Sequence, residues 1–156
     1  MLSSPSFDPA FLLLSVPGLG VSRYWQLHEA FGSPEAAFHA PIASLAAGLG
    51  QDLAHALDAV RQNSQHPAQQ ELQRTLAWCA AHNVRVLTHT DSDYPPLLKE
   101  THRAPPYLFV QGAVSALHQP QVAIVGSRSS THNGKAQARG MAGELVAHGF
   151  TVTSGL

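Results

Sequence analysis

The feature that most constrains this chain is the run Val122-Ala123-Ile124-Val125, which closes directly on Gly126-Ser127-Arg128. A continuous apolar run bounded by turn residues predicts a strand over Gln121–Val125, buried on both faces as in a parallel sheet. Gly126–Gly134 is polar and bounded by glycines, which marks a loop. Lys135–His148 then carries Ala138, Met141, Ala142, Leu145 and Val146 as one apolar helical stripe. Gly149 ends that helix, and Phe150–Thr153 is the next strand. The order is strand, loop, helix, strand, with a connection long enough for a right-handed parallel crossover. A parallel sheet needs cover on both faces, and the helix expected over Glu71–His82 is the candidate for the second layer. The sheet therefore reads as unfinished, and the chain as the front part of a longer protein.

The loop after the first of these strands carries the chemistry. Small residues at Gly126 and Ser127 let the backbone approach a ligand. Loop amides and the start of the following helix offer unpaired N–H groups to an anion. Arg128 adds a planar guanidinium suited to phosphate oxygens, and Ser127, Ser129, Ser130 and Thr131 add hydroxyl donors. Ser154-Gly155 ends the second strand on the same carboxyl edge, where open α/β sheets bind ligands. A plain polar loop that caps a helix, with Arg128 solvated, fits the same residues. The Gly-x-Gly-x-x-Gly fingerprint and its acidic ribose partner are absent, and Gly134-Lys135-Ala136 does not complete a Walker A loop.

The first 62 residues lack strand alternation and show short apolar groups broken by Gly and Pro, which predicts a small helical region. Asp8 with Pro9 is the expected start of a first helix, and Ser22 the expected cap of a second. Gly32 ends the second, and Ser33-Pro34 opens another. Gly18-Leu19-Gly20 recurs thirty residues later as Gly48-Leu49-Gly50, the pattern of two helical hairpins packed together. Asn63–Gln70 is a polar linker or a helix start. Asn83 is a left-handed stop, with strands over Val84–Thr88 and Tyr107–Gln111.

Composition removes several function classes. The formal charge is −1, so a broadly basic nucleic-acid coat is excluded, and any such contact must be local. Phe11–Val16 is too short to span a membrane, and Asp8-Pro9 does not suit a secretory signal. One cysteine, Cys79, excludes an internal disulfide framework. The ten histidines are scattered, no pair has His-x-x-x-His spacing, and His89-x-Asp91-x-Asp93 is better read as a turn. No metal and no cofactor are expected.

These motifs resemble the bacterial DNA-processing protein A (DprA/Smf) family. The resemblance rests on Val122–Arg128, Thr131, Gly134 and Val152-Thr153-Ser154-Gly155-Leu156. It rests also on Tyr94-Pro95-x-Leu97-Leu98, on Pro105-Pro106-x-Leu108-Phe109-x-x-Gly112, and on the front segment Leu13–Phe38. Where the family usually has Pro and Tyr, this chain has Ser130 and Asn133. The resemblance implies an α/β fold class. A small all-helical SAM-like or helix-hairpin-helix domain over residues 1–62 would precede an incomplete Rossmann-like parallel sheet over 63–156. It implies a cytoplasmic, non-enzymatic protein that binds single-stranded DNA and helps load RecA recombinase during natural transformation. A homodimer would form through regions beyond Leu156.

The expected phosphate-binding residues are Gly126, Ser127, Arg128, Thr131, Gly134, Lys135, Ser154 and Gly155. Lys135 and Arg139, spaced i, i+4, share a helix face that is either solvated or cationic support for the loop. Two rivals stay open. One is a Rossmann-like nucleotide hydrolase of the lysine-decarboxylase-like type, and the other is a protein-interaction module without DNA binding.

Overall fold

The computed structural model describes residues 6–155, so Leu156 of the closing motif lies outside the described residues. Two compact units divide after Gly112. The first holds helices α1 (Phe7–Leu14), α2 (Val21–Phe31), α3 (Pro34–His39), α4 (Ile42–Leu49), α5 (Gln51–Gln62) and α6 (Pro67–Ala81). These are followed by β1 (Val84–Thr88), the short α7 (Pro96–Lys99) and β2 (Tyr107–Gln111). The second holds a 3-10 turn (Val114–His118), β3 (Gln121–Ala123), α8 (His132–Ala147) and β4 (Thr151–Thr153). The fold class is α/β, with a helical front and a short parallel strand pair.

In the first unit the apolar faces of α1 to α6 meet one cluster that includes Phe7, Leu13, Leu19, Leu45, Leu57 and Val60 and runs on to Val86. That cluster crosses residue 62 without a break, because α6 packs on both α1 and β1. α6 therefore stands in the first unit. Helix ends follow backbone sterics. Gly32 and Asn83 take left-handed φ values of 83° and 53°, which glycine and asparagine tolerate best. Ser33 Oγ accepts from the Ala36 amide at 3.0 Å, with Pro34 as the first helical residue. Two caps differ from expectation. Helix α1 begins at Phe7, so Asp8 and Pro9 lie inside its first turn. Helix α2 begins at Val21 with Gly20 as its flanking residue, so Ser22 does not cap it. In both cases helical backbone extends past the residue whose side chain could have capped it.

Polar groups join distant segments. Arg61 donates to the Phe38 and Ala40 carbonyls at 3.1 and 2.7 Å, and to Asp58 at 2.8 Å. It thereby satisfies acceptors at the end of α3 that the helix itself leaves open. Gly18 has φ +86°, Arg23 donates to its carbonyl at 2.6 Å, and Leu53 Cδ2 lies 3.4 Å from where a Cβ would stand. Strands β1 and β2 pair antiparallel, with Val86 opposite Phe109 and Thr88 opposite Tyr107. Their connection is held to α2 by Trp25, whose Nε1 donates to the Ala104 carbonyl at 2.8 Å. The Trp25 ring meets His89 at 4.5 Å, and the buried Tyr94 hydroxyl donates to Pro105 at 2.7 Å.

In the second unit β3 and β4 are parallel, Gln121 opposite Thr151 and Ala123 opposite Thr153. The Ile124 amide extends the pairing to the Thr153 carbonyl at 2.9 Å. Gln121 donates to the Ala116 and Leu117 carbonyls at 3.3 and 3.1 Å, and its Oε1 accepts from Thr153 Oγ1. Helix α8 packs on β4, and Ala138, Ala142 and Leu145 are its partly buried positions. The expected burial of the central strand on both faces is not met among the described residues. Val122 and Ile124 are half-covered, whereas Val125 is 86% exposed. One helix shields one face of a two-stranded sheet, and that leaves the alternate residues in solvent.

Two outcomes follow from this framework. Gly18→Ala places a Cβ at positive φ against Leu53 and is expected to cost about 1–2 kcal/mol in denaturant unfolding. His89 has its pKa lowered by burial, then by the Lys99 and His28 charges, against an opposing hydrogen bond to the Lys99 backbone. The folded state then binds fewer protons than the unfolded chain. Stability from this group is complete above the ordinary histidine value of 6.5 and is lost as pH falls below it. Thermal melts of the native chain should decline between neutral and mildly acidic pH, and His89→Gln should flatten that part of the decline.

Candidate functional site

Parallel pairing sends both β3 and β4 out of the sheet at the same edge. Gly126-Ser127-Arg128 leaves β3 there, and Ser154-Gly155 leaves β4 there, as their positions in the sequence predict. The structure thus brings these five residues to one sheet edge, with the start of α8 following the loop. All of them are exposed. Ser127 Oγ accepts from the Ser129 amide at 3.2 Å and so bends the loop back on itself.

Thr131 caps α8. Its Oγ1 accepts from the Gly134 amide at 3.1 Å, while its carbonyl accepts from the Lys135 amide at 3.0 Å. Gly134 is suited to this place, because a Cβ there would stand 3.2 Å from Thr131 Oγ1. Helix α8 therefore begins at His132, three residues before the expected Lys135, because the cap fixes the first turn. Lys135 is in that first turn and is exposed.

No hydrogen bond or ion pair engages the Arg128, Lys135 or Arg139 side chain among the described residues. Residues 113–156 carry three cations (Arg128, Lys135, Arg139) and one carboxylate (Glu144), a net of +2. Residues 1–112 carry six cations and nine carboxylates, a net of −3. Several carboxylates of the first unit have partners within it. Arg85 pairs with Asp93 at 2.7 Å, and Asp91 accepts from the Thr88 amide at 2.6 Å and its hydroxyl at 3.0 Å. His89 lies against Trp25, so the His89-x-Asp91-x-Asp93 segment converges on no common point. Among the described residues there is no group of three or more His, Cys, Asp or Glu side chains placed to hold a metal ion. No helix among them is long and apolar enough to cross a membrane. Cys79 is buried, and burial pushes its thiol pKa up, which disfavours the nucleophilic thiolate.

Comparison with known proteins reaches the same loop. The family described as DNA recombination-mediator protein A matches residues 85–156. Residues 85–156 are thus similar to the DNA recombination-mediator protein A family. Protein Smf of Escherichia coli (strain K12) is 36% identical over 85 residues, which are 54% of this chain and 23% of that protein. Protein Smf of Synechocystis sp. (strain ATCC 27184 / PCC 6803 / Kazusa) is 40% identical over 78 residues, 47% of this chain and 20% of that protein. The matched stretch thus spans less than a quarter of the length of these curated relatives. The family region includes every expected site residue, whereas the two Gly-Leu-Gly hairpins lie outside it.

Sequence reasoning did not find the aromatic groove of the first unit. Phe11, Trp78 and Phe109 line it, with Glu71, Arg74 and Thr75. Trp78 is 51% exposed and stacks on His82 at 4.6 Å. The spacing of Glu71, Arg74, Thr75 and Trp78 marks one face of α6, but Phe11 and Phe109 join it only through the tertiary fold.

The Thr131 cap gives a direct test of local order. Thr131→Ala should lower the helix content or thermal stability of the second unit by about 1 kcal/mol, and Thr131→Ser should retain most of it. Amide exchange at Gly134, read residue by residue, checks the assignment, since its amide is the one released.

Proposed function

We propose that the loop from Gly126 to Thr131, with the first turn of α8, holds the sugar-phosphate backbone of single-stranded DNA. Arg128 supplies the fixed positive charge. Gly126 and Ser127 allow close approach, Thr131 and Gly134 shape the start of the helix, and Lys135, Ser154 and Gly155 border the seat. In the same proposal the protein is a cytoplasmic recombination mediator that helps load RecA onto the bound strand during natural transformation, and it performs no catalysis. Residues 1–62 act as a helical module, residues 63–156 begin the DNA-binding domain, and a homodimer forms through regions beyond Leu156.

The observation that carries the reading is the free Arg128 guanidinium at the carboxyl edge of the parallel pair, beside a capped helix start. Such an edge gathers backbone N–H groups and helix dipole where an anion can meet them. The match of residues 85–156 to a family described as a DNA recombination mediator makes a nucleic-acid phosphate the natural anion. A guanidinium contributes a charge-assisted bond of about 1.5–3 kcal/mol to such a ligand.

Fluorescence anisotropy with labelled oligo-dT tests the reading. Arg128→Ala should weaken binding about tenfold or more, with Arg128→Lys in between, and rising salt should weaken the native chain steadily. Unchanged oligo-dT affinity in Arg128→Ala, or preferential binding and turnover of mononucleotides, would overturn it.

A further inference from the structure

Helix α8 carries a cationic stripe that continues away from the loop. Residues on an α-helix advance by about 100° each, so Lys135 and Arg139 are about 40° apart around the axis, and His132 is on the same side. All three are exposed. Ala138, Ala142 and Leu145, the partly buried positions, face the strands, and the cationic stripe flanks them. Glu144 is nine positions after Lys135, about 180° around the helix, so the one carboxylate of residues 113–156 is turned away from the stripe. Neither cation has an internal partner among the described residues. From the Thr131 cap to Arg139 the rise is about 12 Å.

The geometry points to Arg139 as an additional phosphate contact, one turn beyond Lys135, in a track that starts at Arg128 and fits an extended polyanionic strand. The inference rests on the phosphate-binding reading of the loop and extends it by one residue, Arg139, beyond those that border the seat. A mononucleotide has no second phosphodiester with which to reach Arg139. A strand places successive phosphates along the track, and its affinity gains from each one neutralised. Recognition of this kind is blind to base identity, because lysine and arginine on phosphate carry no sequence information.

The experiment uses the 156-residue chain, oligo-dT and oligo-dA of several lengths, free dTMP as competitor, and a salt series. For a single strand, log affinity falls against log salt by about 0.7 for each phosphate neutralised. Three contacts give a slope of about −2, and Arg139→Ala should reduce it by about 0.7, with about three- to fivefold weaker binding at 0.1–0.2 M salt. Arg139→Glu should weaken binding further, and Arg139→Lys should restore it. Circular dichroism of each variant checks that α8 is retained, as an exposed position predicts.

Native affinity and slope in both Arg139→Ala and Arg139→Glu, together with loss of binding in Arg128→Ala, would overturn the track and leave the loop reading intact. Unchanged binding in Arg128→Ala as well would remove the loop reading and the track with it. Equal competition by dTMP and by oligo-dT at matched phosphate concentration would also overturn the track.

Discussion

The parallel pairing of β3 with β4 is the constraint from which the site follows. Two strands that run the same way deliver their following residues to one edge. Had Thr151–Thr153 paired antiparallel with Gln121–Ala123, Ser154-Gly155 would have emerged at the far end from Gly126-Ser127-Arg128. The long crossover through α8 makes the parallel arrangement feasible, and the Thr131 cap sets where the crossover helix starts. Gln121 reinforces it by joining the 3-10 turn to Thr153 of β4. The edge is thus assembled from backbone direction, one cap and one bridging amide, with Arg128 left unengaged at its rim.

The first unit is organised differently. Its helices close on one apolar cluster, and its loops are secured by side chains that reach backbone carbonyls. Arg61 does so at the end of α3, Trp25 at Ala104, and Tyr94 at Pro105. The Gly18 hairpin follows the same pattern, since Arg23 turns back onto the Gly18 carbonyl and Leu53 fills the space over Gly18. This internal engagement gives the hairpin a structural role in joining α1, α2 and α5. The second Gly-Leu-Gly segment shares the left-handed glycine, Gly50 at φ +87°, but joins α4 to α5 with no arginine placed likewise.

Much of this was legible in the residues wherever a local rule decides the outcome. Gly32, Asn83 and Gly149 stop helices because few other residues take positive φ there cheaply. Both hairpin strands appear at their expected bounds, because β-branched and apolar residues are flanked by Asn, Pro and Gly. The candidate loop was legible for the same reason, being a glycine-bounded break between a strand and a helix. The cap positions at Asp8 and Ser22 were not, since a helix is free to start before its best capping residue when packing holds the preceding turn. Nor was the link from Trp25 to Ala104, which depends on a meeting between residues 79 apart. The lack of a pair between Arg128 and Glu144 was likewise hidden, because it depends on where the two side chains come to rest in the folded second unit.

The aromatic residues are distributed unevenly between the two units, and this has an optical consequence. Both tryptophans and all three tyrosines precede Gly112, and Phe150 is the single aromatic residue after it. Trp25 is hydrogen-bonded and partly enclosed, while half of Trp78 faces water. Ultraviolet emission from this chain is therefore a portrait of its front unit in two colours, one shielded and one wet. The edge that bears Arg128 is dark at those wavelengths, and a chromophore must be carried there by the ligand or by labelling.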